Sequence, residues 1–215
     1  TLEDPVEYRA AGLDQIEINP RAGLTFASGL RTILRSDPDV ILVGEIRDEE
    51  TAQIAFRAAM TGHLVLTTLH AQTAAAAVQR LTDIGIDRGV IATSINCFVA
   101  QRLTRRLCQN CAEAYVPTPE EFRALRVPSI YEGMPLHRPV GCHICGDTGY
   151  RGRVALFEVM AMTDEIAQLI GAPTREIQAK AIEQGMFTLR DDGVRLSFAG
   201  VTTLDEVSRV AGDAF

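Results

Sequence analysis

Two short apolar runs flank an amphipathic segment in the first third of the chain. Residues 40–44 (VILVG) and 64–69 (LVLTTL) are rich in leucine and β-branched residues and are bounded by polar residues or glycine, which predicts buried parallel strands. Between them, residues 48–62 place isoleucine and alanine at helical spacing, with Asp48 as N-cap and Gly62 at the end. The order strand, helix, strand predicts a right-handed βαβ unit in an α/β sheet.

The middle of the chain predicts two further helices, over residues 73–84 and 89–106. Cys97 falls on the apolar side of the second helix, so we expect it in the core. That helix would end in three arginines, which could form a solvated helix end or a functional basic cluster: Arg102, Arg105 and Arg106.

The final part of the chain predicts short helices around one strand. Thr118 and Glu121 form a capping box at the start of a helix, and residues 153–160 (RVALFEVM) predict a strand. Further helices follow, and Glu206 completes a capping box with Thr203 in the last of them. Their ranges are 164–171, 175–184, 188–198 and 204–210.

The composition narrows the class of protein. The net charge of −7 and pI near 5.1 give no overall basic field, so we expect no direct binding to nucleic acid. No apolar run approaches the roughly 20 residues that span a bilayer. Because Thr1 already lies inside a candidate functional motif, we expect a soluble piece of a longer protein.

Four of the five cysteines form two Cys-x-x-Cys pairs with 30 residues between them: Cys108, Cys111, Cys142 and Cys145. Each pair can present two thiolates to one tetrahedral zinc ion. Two disulfides or a redox pair are the alternative, but the motif occurs twice and lacks a thioredoxin-like context. We therefore favour Zn²⁺ in a reducing compartment, the cytoplasm, with His143 as an alternative ligand.

Carboxylates follow the predicted strands at their carboxyl ends. Glu45 lies just beyond the first apolar run, and Glu3 and Asp4 end a further predicted strand in residues 1–7. Ligands of open α/β sheets bind at this edge, so we expect these side chains to converge there. They could hold Mg²⁺ or orient an attacking water, as phosphoryl transfer requires; helix caps and acidic turns use the same residues.

The segment TGHLVLTTLHA places His63 before a strand and His70 after it. At roughly 3.3 Å per residue they would lie about 20 Å apart and could not share one small site. His70 is at the carboxyl end, which makes it the candidate for contact with a γ-phosphate, together with Thr67 and Thr68. His63 would be structural or face a neighbouring subunit.

Two arginines, Arg31 and Arg35, are spaced i, i+4 on a short helix that Thr25 can cap. They would share one helix face. They could pair with Asp37 and Asp39, or they could reach a nucleotide.

The phosphate-binding motif GxxxxGK[ST] does not occur in the sequence. The only lysine, Lys180, lies in the helical stretch TREIQAKAIEQG and not in a glycine-rich loop. These residues therefore do not supply the backbone amides and lysine that hold the β- and γ-phosphates. We expect the 215 residues to be catalytically inactive on their own.

TLEDPVE, GLRTILRSDPDVILVGEIRD, TGHLVLTTLHA and the cysteine pairs with GCHIC and GYRGR occur in this order. Together they resemble the secretion ATPase superfamily, the type II secretion and type IV pilus assembly ATPases, over essentially the whole chain. The resemblance implies a cytoplasmic homo-hexamer, peripheral to the inner membrane through platform proteins, that hydrolyses ATP to drive pilus or pseudopilus assembly.

The resemblance also implies roles for individual residues. Glu3 and Asp4 correspond to the acidic box, with Glu3 as the base for water, and Glu45 corresponds to the Walker B carboxylate acting on Mg²⁺. His63 and His70 correspond to the histidine box. Arg31 and Arg35 become candidates for the nucleotide or subunit interface, and the four paired cysteines match the zinc motif of the assembly ATPases.

The sequence thus predicts three parts within an α/β fold. Residues 1–107 form a partial RecA-like P-loop ATPase core, residues 108–153 an inserted tetracysteine zinc module, and residues 154–215 a C-terminal helical subdomain. The resemblance also implies a Walker A loop and an amino-terminal docking domain, which we expect to lie outside these residues. Two alternatives remain, a non-catalytic zinc-stabilised interaction module and a DNA-uptake or conjugation motor.

Overall fold

A computed structural model of the chain describes residues 1–125 and 127–212. They divide into two units, one comprising Thr1–Phe98 and Ala161–Ala181, the other Val99–Met160 and the described residues from Ile182 onward. The strands are β1 (Leu2–Glu3), β2 (Ile16–Glu17), β3 (Val40–Val43), β4 (Leu64–Thr67), β5 (Cys97–Leu107), β6 (Glu113–Tyr115), β7 (Leu136–Arg138) and β8 (Tyr150–Ala161). The helices are α1 (Phe26–Ile33), α2 (Glu49–Met60), α3 (Ala74–Ile84), α4 (Arg88–Ser94), α5 (Pro119–Leu125), α6 (Asp164–Gln168), α7 (Thr174–Glu183), α8 (Leu189–Phe198) and α9 (Leu204–Ala211).

A parallel sheet with the strand order β2-β1-β3-β4 organises the first unit. β3 and β4 pair in register from Val40 with Leu64 to Val43 with Thr67. Helix α2 connects these two strands and is capped by the side chain of Asp48. The predicted strand–helix–strand unit and the α/β fold class are therefore confirmed.

The two faces of the β3–β4 pair differ in exposure. On one face, Ile41 and Val43 are 1% and 0% exposed, whereas on the other Val40, Leu64 and Leu66 are 56%, 49% and 47% exposed. Parallel sheets are normally covered on both faces. The described residues therefore leave an apolar face of this sheet open.

The helix predicted over residues 89–106 is wrong in its second half. Helix α4 covers only the first part, and the chain continues as strand β5, where Phe98 and Ala100 are buried while Val99 is exposed. Six apolar residues in this stretch fit a helical spacing as well, but pairing with β8 imposes a period of two. Cys97, expected in the core, is exposed at the start of this strand.

The chain between β5 and β8 contains helix α5 and the strands β6 and β7, which pair with each other in antiparallel fashion. Apolar side chains from this segment and from helix α8 form one cluster, which consists of Phe122, Leu136, Val194 and Phe198. The ring of Tyr131 stacks on Phe198 with centroids 4.5 Å apart. The segment with the cysteines therefore shares a hydrophobic core with a helix near the end of the chain.

Threonine caps begin several helices where the sequence predicts them. The backbone N–H of Thr118 donates to Glu121 at 2.8 Å, and the Thr118 hydroxyl accepts from the N–H of Glu121 at 3.3 Å. Helix α6 ends at Gln168, earlier than the predicted residue 171. Among the described residues, no helix has the length and apolar character needed to cross a membrane.

Candidate functional site

An open cleft of about 370 Å³ lies at the carboxyl ends of β1, β3 and β4. Its lining includes four carboxylates and one histidine. Glu3, Asp4, Glu45 and His70 were predicted at this edge from their positions after the strands, whereas Glu7 was not. The lining residues are Glu3, Asp4, Pro5, Glu7, Tyr8, Phe26, Leu42, Gly44, Glu45, Thr68 and His70.

Gly44 allows β1 and β3 to approach each other at the cleft. Its backbone N–H donates to the carbonyl oxygen of Leu2 at 2.7 Å. A Cβ atom at Gly44 would lie 2.9 Å from that oxygen, closer than side chains tolerate. The glycine thus holds Glu45, the next residue, beside the strand that carries Glu3.

Glu45 contacts a histidine and an arginine side chain at this edge. Its Oε2 lies 3.1 Å from Nε2 of His70, and its Oε1 accepts a hydrogen bond from Arg47. The Glu45 side chain is 16% exposed and that of His70 is 83% exposed. The hydrogen bond from Arg47, and then that from His70, lowers the pKa of Glu45 below its ordinary value. Glu45 is therefore a carboxylate at neutral pH, as a metal ligand must be.

Sequence reasoning did not single out Arg47. Arg47 lies two residues after Glu45 in GEIRD. This short spacing is the one feature of the sequence that could have indicated a contact between the two side chains.

Glu3 is fixed by neighbours on one oxygen. Its Oε1 accepts from the hydroxyl of Thr1 at 2.5 Å and from Nε2 of Gln15 at 3.0 Å. The hydrogen bond from Thr1, followed by that from Gln15, lowers the pKa of Glu3. The cleft therefore contains at least two ionised carboxylates on adjacent strands.

The other residues of the β4 segment occupy different positions. The hydroxyl of Thr68 donates to Gly44 O at 2.6 Å within the cleft. Thr67 donates to the carbonyl of Thr68 at 3.4 Å and does not line the cleft. His63 precedes β4, with Nδ1 3.0 Å from the carbonyl oxygen of Ala58, so the two histidines are separated by the strand as predicted.

Arg31 and Arg35 do not line the cleft. Arg31 pairs with Glu50 on α2 at 2.5 Å, and not with Asp37 or Asp39. Helix α1 ends at Ile33, so Arg35 lies two residues beyond the helix on which it was predicted.

The four paired cysteines converge in the second unit. All four Sγ atoms lie within 4.8 Å of one another, with separations of 3.9 Å for Cys108–Cys142, 3.8 Å for Cys111–Cys145 and 3.7 Å for Cys142–Cys145. A tetrahedron with Zn–S bonds of about 2.3 Å has edges of about 3.8 Å, whereas a disulfide needs about 2.05 Å. The donor set and its geometry fit one zinc ion, and His143 is not part of the cluster.

N–H groups point at the cysteine sulfurs. The backbone N–H groups of Cys142 and Gly149 each donate to Sγ of Cys145 at 3.2 Å. Nδ2 of Asn110 donates to Sγ of Cys142 at 3.4 Å. This hydrogen bond is the largest of the contributions that together lower the pKa of Cys142 to about 6. Such donors stabilise thiolates, which are the metal-binding form of cysteine.

A family model described as "Type II/IV secretion system protein" matches residues 1–209 of the chain. The chain belongs to this family. The family comprises secretion and pilus ATPases, so the resemblance noted in the sequence is confirmed.

Two relatives are similar over nearly the whole chain. The chain is 47% identical to the type IV pilus assembly ATPase PilB of Thermus thermophilus over 210 residues, which cover 96% of this chain and 24% of that protein. It is 46% identical to type II secretion system protein E of Pectobacterium carotovorum over 211 residues, which cover 98% of this chain and 42% of that protein.

Among solved structures, that of the pilus retraction motor PilT with bound ADP is similar, with a TM-score of 0.68 and 28% sequence identity. The match covers 99% of this chain and 52% of that chain. The chain thus spans between 24% and 52% of the length of these three relatives.

Proposed function

We propose that these residues form the part of a secretion or pilus motor ATPase that handles the metal ion, the attacking water and the γ-phosphate of ATP. The observation that carries the proposal is the cleft, which Glu3, Asp4, Glu45 and His70 line together. Phosphoryl transfer depends on positioning and on charge stabilisation more than on covalent chemistry. Acidic residues beside a histidine at the carboxyl edge of a parallel sheet suit that task.

Each of these side chains has a role in the proposal. Glu45 binds Mg²⁺, directly or through water, and the bound ion would neutralise charge on the phosphate oxygens. Glu3, oriented by Thr1 and Gln15, positions the attacking water and accepts its proton. His70 is exposed at the cleft and donates a hydrogen bond to the γ-phosphate.

Other residues contribute around these groups. We assign Asp4 to the same acidic edge as Glu3, and Thr67 and Thr68 to the phosphate side of β4. Arg31 and Arg35 act at the nucleotide or subunit interface, and His63 supports the amino end of β4.

The excess of negative charge in the cleft supports an active site that needs residues from elsewhere in the full-length protein. Its lining has four carboxylates against one histidine, so a polyphosphate needs Mg²⁺ and further cations before it can bind there. The sequence lacks a GxxxxGK[ST] loop. We infer that the phosphate-binding cations come from other residues of the full-length protein and that these 215 residues alone do not hydrolyse ATP.

The cysteine cluster is proposed as a structural Zn²⁺ site. Four thiolates close the coordination shell, which leaves no open position for chemistry. We further propose that the parent protein is a homo-hexamer in the cytoplasm, docked on inner-membrane platform proteins of a type II secretion system or a type IV pilus.

The decisive experiment measures ATP hydrolysis by the full-length protein with Glu45→Gln. The variant should lose turnover, because its amide cannot replace the carboxylate in metal binding. The matched control is Glu120→Gln, which changes an exposed carboxylate on α5 and should keep wild-type turnover.

Substantial turnover by the Glu45→Gln protein would overturn the assignment. If the wild-type full-length protein neither binds nor hydrolyses ATP, the chain belongs to a non-catalytic zinc-stabilised interaction module.

A further inference from the structure

A buried carboxylate outside the cleft carries a dense set of hydrogen bonds. Glu206 lies in the first turn of α9 and is 2% exposed. Its Oε2 accepts from the hydroxyl of Thr104 at 3.3 Å and from the backbone N–H of Arg105 at 3.0 Å. The guanidinium of Arg105 donates to Oε1 at 2.7 Å, and that of Arg209 donates to both oxygens, at 2.9 and 2.7 Å.

These donors match the demand of a buried charge. An ionised carboxylate without partners is costly in the interior, and here both oxygens are satisfied by two guanidinium groups, a hydroxyl and a backbone amide. Arg209 is three residues away, as ordinary helix pairing allows. Thr104 and Arg105, by contrast, lie more than 100 residues earlier in the chain.

Arg105 and Tyr150 stand at the two ends of the cysteine-bearing segment. Arg105 lies near the end of β5, three residues before Cys108, and Tyr150 begins β8, five residues after Cys145. The guanidinium of Arg105 lies 4.2 Å from the centroid of the Tyr150 ring. The hydroxyl of Tyr150 is 3.0 Å from that of Thr203, the N-cap of α9. Glu206 and its neighbours therefore touch both ends of the segment.

The backbone reinforces this junction. The N–H of Leu107 donates to the carbonyl of Val201 at 2.9 Å, and the Thr202 hydroxyl donates to the carbonyl of Arg105 at 2.8 Å. The N–H of Cys108 donates to the carbonyl of Gly149 at 2.9 Å. The start of α9 is thus hydrogen-bonded to the strand that delivers the first zinc ligand.

We propose that Glu206 is a positioning residue that couples metal binding at the four cysteines to the docking of helix α9. It does so by holding together the two chain ends from which the cysteine turns extend. The inference rests on the zinc site proposed above. Coupling of this kind is reciprocal: bound Zn²⁺ holds α9 in place, and docked α9 holds Zn²⁺.

The test uses the full-length protein and two carboxylate-to-amide variants. Glu206→Gln removes the buried charge, whereas Glu113→Gln changes an exposed carboxylate within the same module, paired with Arg138. The affinity for Zn²⁺, measured by competition with a colorimetric chelator, should be about tenfold lower in Glu206→Gln, within the usual range of coupling effects, and unchanged in Glu113→Gln. The d–d bands of bound Co²⁺ should change only in the Glu206 variant.

A second measurement needs no variant. Chelation of Zn²⁺ from the wild-type protein should accelerate amide hydrogen exchange across residues 201–211 as well as in the cysteine turns. Unchanged exchange in residues 201–211 overturns the coupling even if Glu206→Gln fails to fold. A wild-type affinity for Zn²⁺ in a folded Glu206 variant overturns it as well. A wild-type protein that contains no zinc refutes the proposed metal site itself, which distinguishes that failure from loss of the coupling.

Discussion

Replacing Cys108 by serine removes one of four thiolates from a cluster whose edges already match a zinc tetrahedron. Structural zinc contributes about 10–16 kcal/mol of binding free energy in small sites at neutral pH. Shared over four ligands, this gives about 2.5–4 kcal/mol for each thiolate, and a serine hydroxyl is a poor replacement. We therefore expect zinc affinity to fall by roughly 10²–10³-fold.

Zinc affinity can be measured by competition with a colorimetric chelator, together with the zinc content of the purified protein. The matched control is Cys97→Ser, the same substitution at an exposed cysteine outside the cluster, which should leave both values unchanged. Equal zinc affinity for the Cys108→Ser and wild-type proteins would refute the four-thiolate site. A loss of zinc in Cys97→Ser would refute the assignment of ligands.

Two further predictions concern the second unit. Hydrogen bonds from Arg209 and Arg105 hold the pKa of Glu206 well below its ordinary value of 4.5, so the ionised carboxylate contributes its full stabilisation above pH 4.5 and loses it progressively at lower pH. The urea midpoint of unfolding should therefore drop more steeply from pH 5 to pH 3 in the wild-type protein than in Glu206→Gln. An equal drop in the two proteins would contradict this prediction. Gly193→Ala places a Cβ atom 2.5 Å from Cγ1 of Val207 on α9. The destabilisation from overpacking, about 1–3 kcal/mol, exceeds the gain in helix propensity of up to about 1 kcal/mol, so calorimetry should show a melting temperature lower by roughly 2–8 °C. An unchanged melting temperature would show that α9 shifts to accept the methyl group without loss of stability.

The cleft could be predicted from the sequence because its geometry follows from a simple rule. Glu45 and His70 each follow a short apolar run, and parallel strands bring such ends to one edge. The zinc cluster was predictable for a similar reason, since each Cys-x-x-Cys turn supplies two of the four ligands of a tetrahedral zinc site. In both cases local sequence determines the position of the functional group.

Strand β5 could not be assigned from local sequence because its residues satisfy two periodicities. The stretch CFVAQRLTRRL contains good helix formers, and its pairing with β8 decides the outcome. The position of Cys97 was wrong for the same reason.

The partners of Glu206 also depend on contacts between distant parts of the chain. The sequence predicts a capping box with Thr203, and the Thr203 hydroxyl does accept from the N–H of Glu206 at 3.3 Å. The carboxylate, however, bonds to Thr104, Arg105 and Arg209. Two of these partners lie too far away in sequence for any local motif to indicate them.

The two ends of the cysteine-bearing segment, residues 108–149, lie side by side, and this has an evolutionary consequence. Since the N–H of Cys108 bonds to the carbonyl of Gly149, the chain leaves and rejoins the β5–β8 pair at one point, so a single insertion or deletion could add or remove the segment without separating those strands. Such an event would uncover Val194 on α8, which packs with Phe122 and Leu136 of the segment. Lineages that lose the cysteines should therefore carry a polar residue at position 194, as the trace of the lost contact.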